Sequence, residues 1–433
     1  MTSDSLLSWL ATGLPLIGAL TSRICWNDVR QLRNFCVIWS LLSLPLILMV
    51  DWNMPEGPLL LSLLPIAAMI SLLGQPVHAV HRLSWLITLV CLALGIGAMT
   101  LPPPLGHLFL SGLLVTVIGL LLRHHTMLWP ISWWGIIMFG LAGLGAMMAA
   151  RTSPPISSSA ALVTSMVLVP LLPFHTGYLT TLTRLPGNLP SFLTFLLPAV
   201  GLHFMVSMLQ TLPSVIAGLV SLFALVGAFY GTVKALGQTR IRLMLAYGSL
   251  SSFSMLWWFA ANSHLVASRA VVLVASVGLA TGGLLIAWQV IRTRYGDDVD
   301  PSSISGLASS MPSYAVLVSL LALAAMGLPP FGVFAGFMGL LLHSPIPSIL
   351  GLLIMLSAWL AVSWYIMSAV QRLLFGTRRS DLRYHDIVQH ERAALLITVL
   401  MLAGLGLAPN DWFMSTATSP IVESQSWSTL WQR

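Results

Sequence analysis

Very few side chains in this sequence could carry proton or ion chemistry. Residues 57–296 contain no Asp or Glu, and Lys234 is the only lysine of the chain. A histidine can take up and release a proton near neutral pH because its unperturbed pKa is about 6.5. An arginine keeps its charge at any reachable pH, but it can bind an anion or a lipid phosphate. The candidates for a proton or ion pathway are His175, His203, Lys234 and Arg242.

The composition predicts that these side chains lie in a membrane. Hydrophobic residues make up 57% of the 433 residues and charged residues only 7%, whereas a soluble domain carries about 25% charged residues. Apolar runs of about 18 residues, long enough to cross the roughly 30 Å hydrocarbon core as helices, recur along the chain. We therefore predict an all-α polytopic membrane protein of about fourteen transmembrane helices. The predicted spans lie near 6–22, 34–50, 58–73, 83–101, 107–122, 131–150, 158–172, 190–209, 213–236, 243–261, 264–291, 312–342, 347–371 and 391–408.

The basic residues predict the orientation, because short cytoplasmic loops collect Lys and Arg. With both termini outside, all but three of the 19 basic residues fall on cytoplasmic connections. These include the loops around Arg30, Arg240, Arg292 and Arg378. The formal charge of +7 then reflects topology, and we expect no nucleic-acid partner. The first segment has no basic leader, so we expect a retained helix rather than a signal peptide.

The three cysteines, Cys25, Cys36 and Cys91, lack the spacing of metal ligands. We expect buried free thiols, no metal site and no cofactor in this chain.

Three stretches of the sequence resemble segments of one known family. Gly227–Ser251 contains Gln-Thr-Arg-Ile-Arg and Leu-Ala-Tyr-Gly-Ser-Leu-Ser, similar to the family's Gln-Thr-Asp-(Ile/Leu)-Lys-Arg followed by Leu-Leu-Ala-Tyr-Ser-Ser. Val169–Thr176 contains Pro-Phe-His-Thr, and Met326–Phe337 contains Gly-Leu-Pro-Pro and Phe-Ala-Gly-Phe. Over roughly residues 80–375, the chain resembles the antiporter-like, proton-conducting membrane subunits of respiratory complex I and its relatives.

This resemblance implies two inverted repeats with broken helices. We place N-terminal transmembrane helices at 1–80, the first repeat at 81–236, the second at 237–375, and a C-terminal helix and tail at 376–433. A proline removes a backbone donor, and a membrane tolerates a broken helix only where protein or water satisfies the freed groups. Pro198 and the pair Pro329 and Pro330 mark the candidate breaks. A plain proline kink is the alternative at both places.

Members of the family that pump protons are thought to use a chain of intramembrane Lys, Glu and His residues, and most of these positions are not titratable here. The lysine of the first broken helix aligns near Gly201, where His203 is the only titratable group within reach. The Asp and Lys of Gln-Thr-Asp-Ile-Lys align with Arg240 and Arg242.

In the second repeat the family's histidine aligns with Val277 and its terminal Lys or Glu with Phe337, both apolar. We expect His203 to be the relay if the chain conducts, with Lys234 and Arg242 setting the field around it. We also expect the second repeat to pack dry, without a continuous polar path. The alternative role for Lys234 is a boundary lysine whose ammonium reaches the interface.

Three functions remain open on the sequence alone. The resemblance favours an ion-translocating subunit of an energy-coupling complex, while the lost relay groups favour a structural or anchoring subunit without transport. A stand-alone transporter of a small organic substrate is the third.

The resemblance leaves four host complexes open: complex I, a membrane-bound hydrogenase, a cation/proton antiporter or an inorganic-carbon uptake system. The last is suggested by His81-Arg-Leu-Ser-Trp, which is similar to the Asp-Arg-Leu-Ser of that group. The expected partners are other membrane subunits, a cytoplasmic catalytic subunit and lipids. The expected location is the inner cytoplasmic membrane, and no catalytic centre is expected in this chain.

Overall fold

The computed structural model describes residues 3–25, 28–50, 59–123, 131–152, 156–209, 211–263, 268–295, 304–376 and 385–408. Within these ranges the chain is helical and contains no strand. A 3-10 turn at Ala79–His81 precedes the fourth helix. The α-helices are α1 (Ser3–Cys25), α2 (Val29–Met49), α3 (Leu59–Leu73), α4 (Arg82–Thr100), α5 (Pro103–Arg123), α6 (Ile131–Ala149), α7 (Ile156–Leu168), α8 (Thr176–Arg184), α9 (Leu189–Leu209), α10 (Ser214–Leu236), α11 (Ile241–Ser263), α12 (Ser268–Tyr295), α13 (Leu307–Ser310), α14 (Pro312–Ala325), α15 (Gly332–His343), α16 (Ile349–Leu374) and α17 (Gln389–Leu407).

Eight of the described helices are long and apolar enough to cross a membrane, and six shorter apolar helices accompany them. The prediction of an all-α, multi-pass membrane protein is therefore confirmed, whereas the number of fourteen crossings and the orientation stay predictions. Several sequence features, including Asp51, Glu56, Arg378 and the tail from 409 onward, lie outside the described residues.

Helix α12 lies at the centre of the fold, and its membrane-spanning part is buried along its whole length. It packs against α9 and α15. Glycines permit the close approach, since a Cβ at Gly278 would lie 2.9 Å from the Cα of Phe195 in α9. A Cβ at Gly336 of α15 would similarly lie 2.7 Å from the Cα of Leu273. Two described cysteines, Cys36 and Cys91, are buried free thiols, as predicted.

Helices end and begin at two proline-containing interruptions that share one backbone pattern. The first lies between α7 and α8 and the second between α14 and α15. The amide N–H of Leu171 donates to the Met166 carbonyl (3.1 Å), and that of Leu328 donates to the Leu323 carbonyl (3.2 Å), in each case five residues back. Two residues after each of these leucines comes a cis proline, Pro173 or Pro330.

The structure corrects three features of the sequence prediction. The predicted span 312–342 is the pair α14 and α15, with Pro329 and Pro330 between them. Pro198 lies inside α9, which is continuous, so the interruption of the first repeat is at 169–175 instead. Helix α8 occupies a segment that the sequence left without a span.

The helix order around the interruptions bears on the repeat boundary. Helices α4, α5 and α6 precede the first interruption, and α10, α11 and α12 precede the second; α9 and α16 follow them. This matching order suits two repeats, while the boundary predicted at 236 and the other domain limits stay predictions.

Candidate functional site

The first interruption places a buried histidine at the start of α8. His175 is 9% exposed, and its Nδ1 makes no hydrogen bond of normal geometry among the described residues, although the Pro173 backbone lies close to the ring. Its ring meets the ring of Tyr230 edge-on, with 5.7 Å between centroids. Because the imidazole can gain or lose a proton while Nδ1 makes no hydrogen bond of normal geometry, His175 is chemically equipped to receive a proton through an intervening water.

Tyr230 connects His175 to the end of α10. The Lys234 ammonium lies 5.8 Å from the centroid of the Tyr230 ring, within the range of a cation–π contact. On the other side, the Tyr247 ring of α11 lies 5.9 Å from that of Tyr230. The two sequence candidates His175 and Lys234 therefore border the same aromatic ring.

Small residues bring α10 and α11 together at this point. A Cβ at Gly231 would lie 2.8 Å from the Tyr247 carbonyl oxygen and 3.0 Å from the Ser251 nitrogen. Beside it, the hydroxyls of Thr232 and Ser251 form a hydrogen bond of 2.9 Å. The segment Gly227–Ser251, which resembles a family segment, thus forms the α10–α11 hairpin that holds Tyr230, Lys234 and Tyr247 near α8.

A small cavity with several hydroxyl groups in its lining lies between α11, α12 and α16. Tyr178 of α8 is fully buried, and its hydroxyl lies beside Ser249 without a hydrogen bond of normal geometry. Ser249 lines a cavity of about 20 Å³ together with Thr281, Tyr365 and Val277. That volume accommodates about one water molecule. The expectation that the second repeat packs dry is therefore too strong around Val277.

Around Phe337 the second repeat is packed with aromatic side chains. The Phe337 side chain is 1% exposed, and its ring centroid lies 4.2 Å from that of Trp359 and 6.3 Å from that of Phe259. Aromatic rings enclose the place where the family's titratable group would stand.

Arg242 belongs to a different polar cluster, at the junction of α3, α4, α9 and α12. Its Nη2 donates to Gln289 Oε1 (2.9 Å) and its Nη1 to the Leu185 carbonyl (3.4 Å). It shares a small cavity with Gln75 and Asn188.

Two amides organise that cluster. Gln75 Oε1 accepts from Trp85 Nε1 (2.9 Å) and from the Asn188 backbone N–H (3.1 Å). Asn188 Nδ2 donates to Ser71 Oγ (3.1 Å) and to Thr88 Oγ1 (2.8 Å). These contacts tie the α8–α9 connection to α3 and α4, so Arg242 joins a structural network rather than the histidine.

His203 lies far along α9 from Arg242. It is half-buried near the far end of α9, with its ring 5.2 Å from that of Phe204. Arg242 bonds to Leu185, before the first residue of α9, and a helix rises 1.5 Å per residue, which puts His203 about 20 Å further along. Arg242 is therefore too far along the fold to set the field of His203, and the role of Lys234 near His203 stays a prediction.

Sequence reasoning missed the partners of His175. Tyr230 and Tyr247 stand inside the matched run Gly227–Ser251, so the available signal was two tyrosines beside the only lysine. Gln75 and Asn188 carried no motif. Among the described residues no three His, Cys, Asp or Glu side chains group as metal ligands.

Comparison with known proteins places the chain among membrane subunits of respiratory complexes. Residues 135–363, just over half of the chain, match the family model described as NADH:quinone oxidoreductase/Mrp antiporter, TM. The chain is 25% identical over 305 residues to NADH-quinone oxidoreductase subunit N 2 of Solibacter usitatus, covering 65% of this chain and 61% of that protein. It is 28% identical over 214 residues to NADH-quinone oxidoreductase subunit M of Escherichia coli, covering 47% and 40%. The matched part thus spans about half the length of these relatives.

Solved structures share the fold. A chain of respiratory complex I from Thermus thermophilus superposes with a TM-score of 0.75 at 19% identity, covering 92% of this chain and 95% of that one. A chain of the membrane-bound sulfane sulfur reductase, an archaeal respiratory membrane complex, gives a TM-score of 0.77 at 15% identity, covering 94% and 96%.

Proposed function

Because this chain belongs to the NADH:quinone oxidoreductase/Mrp antiporter transmembrane family, we propose that it is an antiporter-like membrane subunit of an energy-coupling complex and takes part in proton or cation translocation. The observation that carries the proposal is the buried His175, whose Nδ1 makes no hydrogen bond of normal geometry, at a helix interruption beside Tyr230 and Lys234. Intramembrane ionisable groups are costly, so one that is retained at a broken helix indicates function.

His175 takes the relay role that the sequence gave to His203. Both are imidazoles, but His175 lies next to a hydroxyl-bearing ring and a lysine, whereas His203 packs on Phe204. Rings whose centroids lie 5–6 Å apart edge-on are in van der Waals contact and form no hydrogen bond themselves. A proton would instead pass through a water that joins His175 Nδ1 to a tyrosine hydroxyl. The proposed proton path has two parts. The first runs from Lys234 past Tyr230 to His175, and the second runs from Tyr178 to the hydroxyl groups around Ser249.

The partners and location follow the same proposal. Helices α10 and α16 expose long apolar faces, including Phe229 (61% exposed) and Trp364 (74%), which suit lipid tails or neighbouring membrane subunits. The inner cytoplasmic membrane and a cytoplasmic catalytic subunit, which would carry any redox centre, are further parts of the proposal.

Ion translocation by the assembled complex in membrane vesicles tests the role of His175. His175→Ala should lower substrate-driven proton uptake by about 100-fold or more, the usual scale for losing a positioned proton-transfer group, while the amount of assembled complex stays unchanged. His203→Ala is the matched control and should retain uptake. Full uptake with His175→Ala, or loss with His203→Ala alone, would contradict the assignment.

A structural or anchoring subunit without transport is the second candidate. The aromatic enclosure of Phe337 favours it, since no titratable group stands there. In that case both histidine variants would leave translocation unchanged, and deleting the chain would disperse the complex.

A further inference from the structure

A charged cluster lies where the beginnings of α2 and α17 approach the end of α12. Arg294 of α12 donates through Nη2 to Glu391 Oε2 in the first turn of α17, at 2.8 Å. Arg33 of α2 interacts electrostatically with Glu391 and with Arg30. His390 in turn feels the charges of Arg33 and Arg30. The cluster therefore joins three helices at the end of the protein predicted to face the cytoplasm.

A guanidinium nitrogen of Arg33 and a ring nitrogen of His390 are buried in this cluster without a hydrogen-bond partner among the described residues. Arg33 is only 7% exposed. Its Nε and Nη2 reach Asn34 Oδ1 at 3.4 and 3.1 Å, but Nη1 has no partner among the described residues. His390 Nε2 is also buried and unpartnered there. Leaving a charged donor unsatisfied in a buried place is costly, and the described residues offer no acceptor for Arg33 Nη1.

The carboxylates of the cluster are already engaged. Glu391 Oε2 accepts from Arg294 (2.8 Å) and from the Val388 backbone N–H (3.0 Å). Asp28 Oδ1 caps α2 by accepting from the Arg30 N–H (3.0 Å). Arg30, Arg33 and Arg294 outnumber these two carboxylates, and Arg392 next to Glu391 adds a further positive charge, so net positive charge remains beside the N-terminus of the 19-residue helix α17. An anionic phosphodiester complements that charge, and a helix N-terminus also favours an anion.

Apolar stripes lead from the cluster along both helices. On α2, Arg30 and Asn34 are followed at four-residue spacing by Ile38, which is 53% exposed. On α17, Leu396 (44% exposed) and Leu400 (56%) follow Arg392 in the same way. A free phosphate would make no use of these faces, whereas acyl chains would cover them.

We propose that the ends of α2 and α17 around Arg33 and His390 bind the headgroup phosphate of an anionic phospholipid, with its acyl chains against the stripes of Ile38 and Leu396. The Arg33 guanidinium donates Nη1 to a phosphate oxygen, and Arg30 adds a second, more exposed charge. Basic pockets between membrane helices on the cytoplasmic side are suited to such headgroups, and arginine forks to phosphate.

The test uses the full chain purified in detergent and titrated with phosphatidylglycerol, phosphatidylcholine or inorganic phosphate, with the thermal midpoint and retained lipid as readouts. Phosphatidylglycerol should raise the midpoint of the unmodified chain and phosphatidylcholine should not. Arg30→Gln and Arg33→Gln should each weaken that response by about tenfold, as expected for losing one charge-assisted bond. Arg240→Gln, an exposed arginine at the same end, is the control and should respond fully.

Arg30 is exposed, so its variant tests the site even if Arg33→Gln fails to fold. An unchanged phosphatidylglycerol response in Arg30→Gln would overturn the proposal. So would equal stabilisation by inorganic phosphate, which would show a free-anion site, or an equal loss in Arg240→Gln, which would show diffuse surface charge.

Discussion

The two helix interruptions of this protein have the same backbone and opposite chemistry. Each has a five-residue backward hydrogen bond, from Leu171 or Leu328, and then a cis proline followed by phenylalanine. Counting on from the prolines, the position of His175 in the first interruption is that of Gly332 in the second. A Cβ at Gly332 would overlap Ser276 Oγ and lie 2.8 Å from Leu405 Cβ.

The difference teaches where function is decided in such a repeat. Proline interrupts the helix because it removes a backbone hydrogen-bond donor, and the neighbouring helices stabilise the interruption because they satisfy the freed backbone groups. A proton-active site further requires space and a polar neighbour for the next side chain. The first interruption provides both for His175, and the second uses its space for packing against α12 and α17.

The largest expected effect comes from introducing a charge among the aromatic side chains around Phe337. Phe337→Lys should destabilise the protein by about 3 kcal/mol or more, because an ammonium among Phe259 and Trp359 has neither water nor a counter-ion. The amount of folded protein in membranes and its thermal midpoint should both fall. Phe337→Leu is the control and should cost less than about 1.5 kcal/mol. A lysine variant as stable as the leucine variant would reveal hydration that the aromatic packing does not suggest.

A smaller effect should follow from crowding the second interruption from α17. A Cβ at Gly406 would overlap the Pro330 carbonyl oxygen and lie 2.5 Å from the Phe331 carbonyl carbon, whereas one at Gly404 meets nothing within 4 Å. Gly406→Ala should therefore cost about 1–3 kcal/mol, the usual range for overpacking. Gly404→Ala, on the same helix, should be neutral or slightly stabilising. Equal midpoints for the two variants would mean that α17 does not seal this interruption.

Only the second of the two interruptions could be located from the sequence. Pro329 and Pro330 follow each other inside a long apolar run, and the structure separates α14 from α15 there. The first interruption could not be located because α8, the helix after it, is only nine residues long and rich in threonine. No apolar run in the sequence therefore predicted this helix.

Pro198 was predicted to break a helix, but it lies inside the continuous helix α9. A proline removes the hydrogen-bond donor of only one backbone carbonyl, the one four residues earlier. For Pro198 this is the carbonyl of Thr194, which lies against Gly278 of α12. Packing against α12 lets α9 continue through the proline. The tyrosines beside His175 could not be assigned either, because residues of α8, α10 and α11 meet only in the folded protein.

The smallest predicted effect concerns how the helices next to the interruptions begin. Helix α8 begins at Thr176, and its N-cap residue His175 makes no side-chain capping hydrogen bond. At α14, by contrast, Asp386 accepts from the backbone N–H groups of Ser313 (2.8 Å) and Tyr314 (3.2 Å). Burial alone would raise the pKa of Asp386, but these bonds and that from Ile387 outweigh it and hold the pKa below its usual 3.8. The folded protein therefore favours the ionised carboxylate.

A group with a depressed folded pKa contributes stability above its unfolded pKa and loses it as the pH falls through the folded value. Asp386→Ala should thus lower stability at neutral pH by about 1 kcal/mol, the typical worth of a helix cap. Asp386→Asn, which keeps an acceptor, should cost less. In thermal unfolding of the detergent-solubilised protein, the difference between the unmodified chain and the alanine variant should be constant from pH 7 to about pH 5 and shrink below about pH 4. A difference that instead grew on acidification would show that the neutral carboxyl, donating rather than accepting, holds the start of α14.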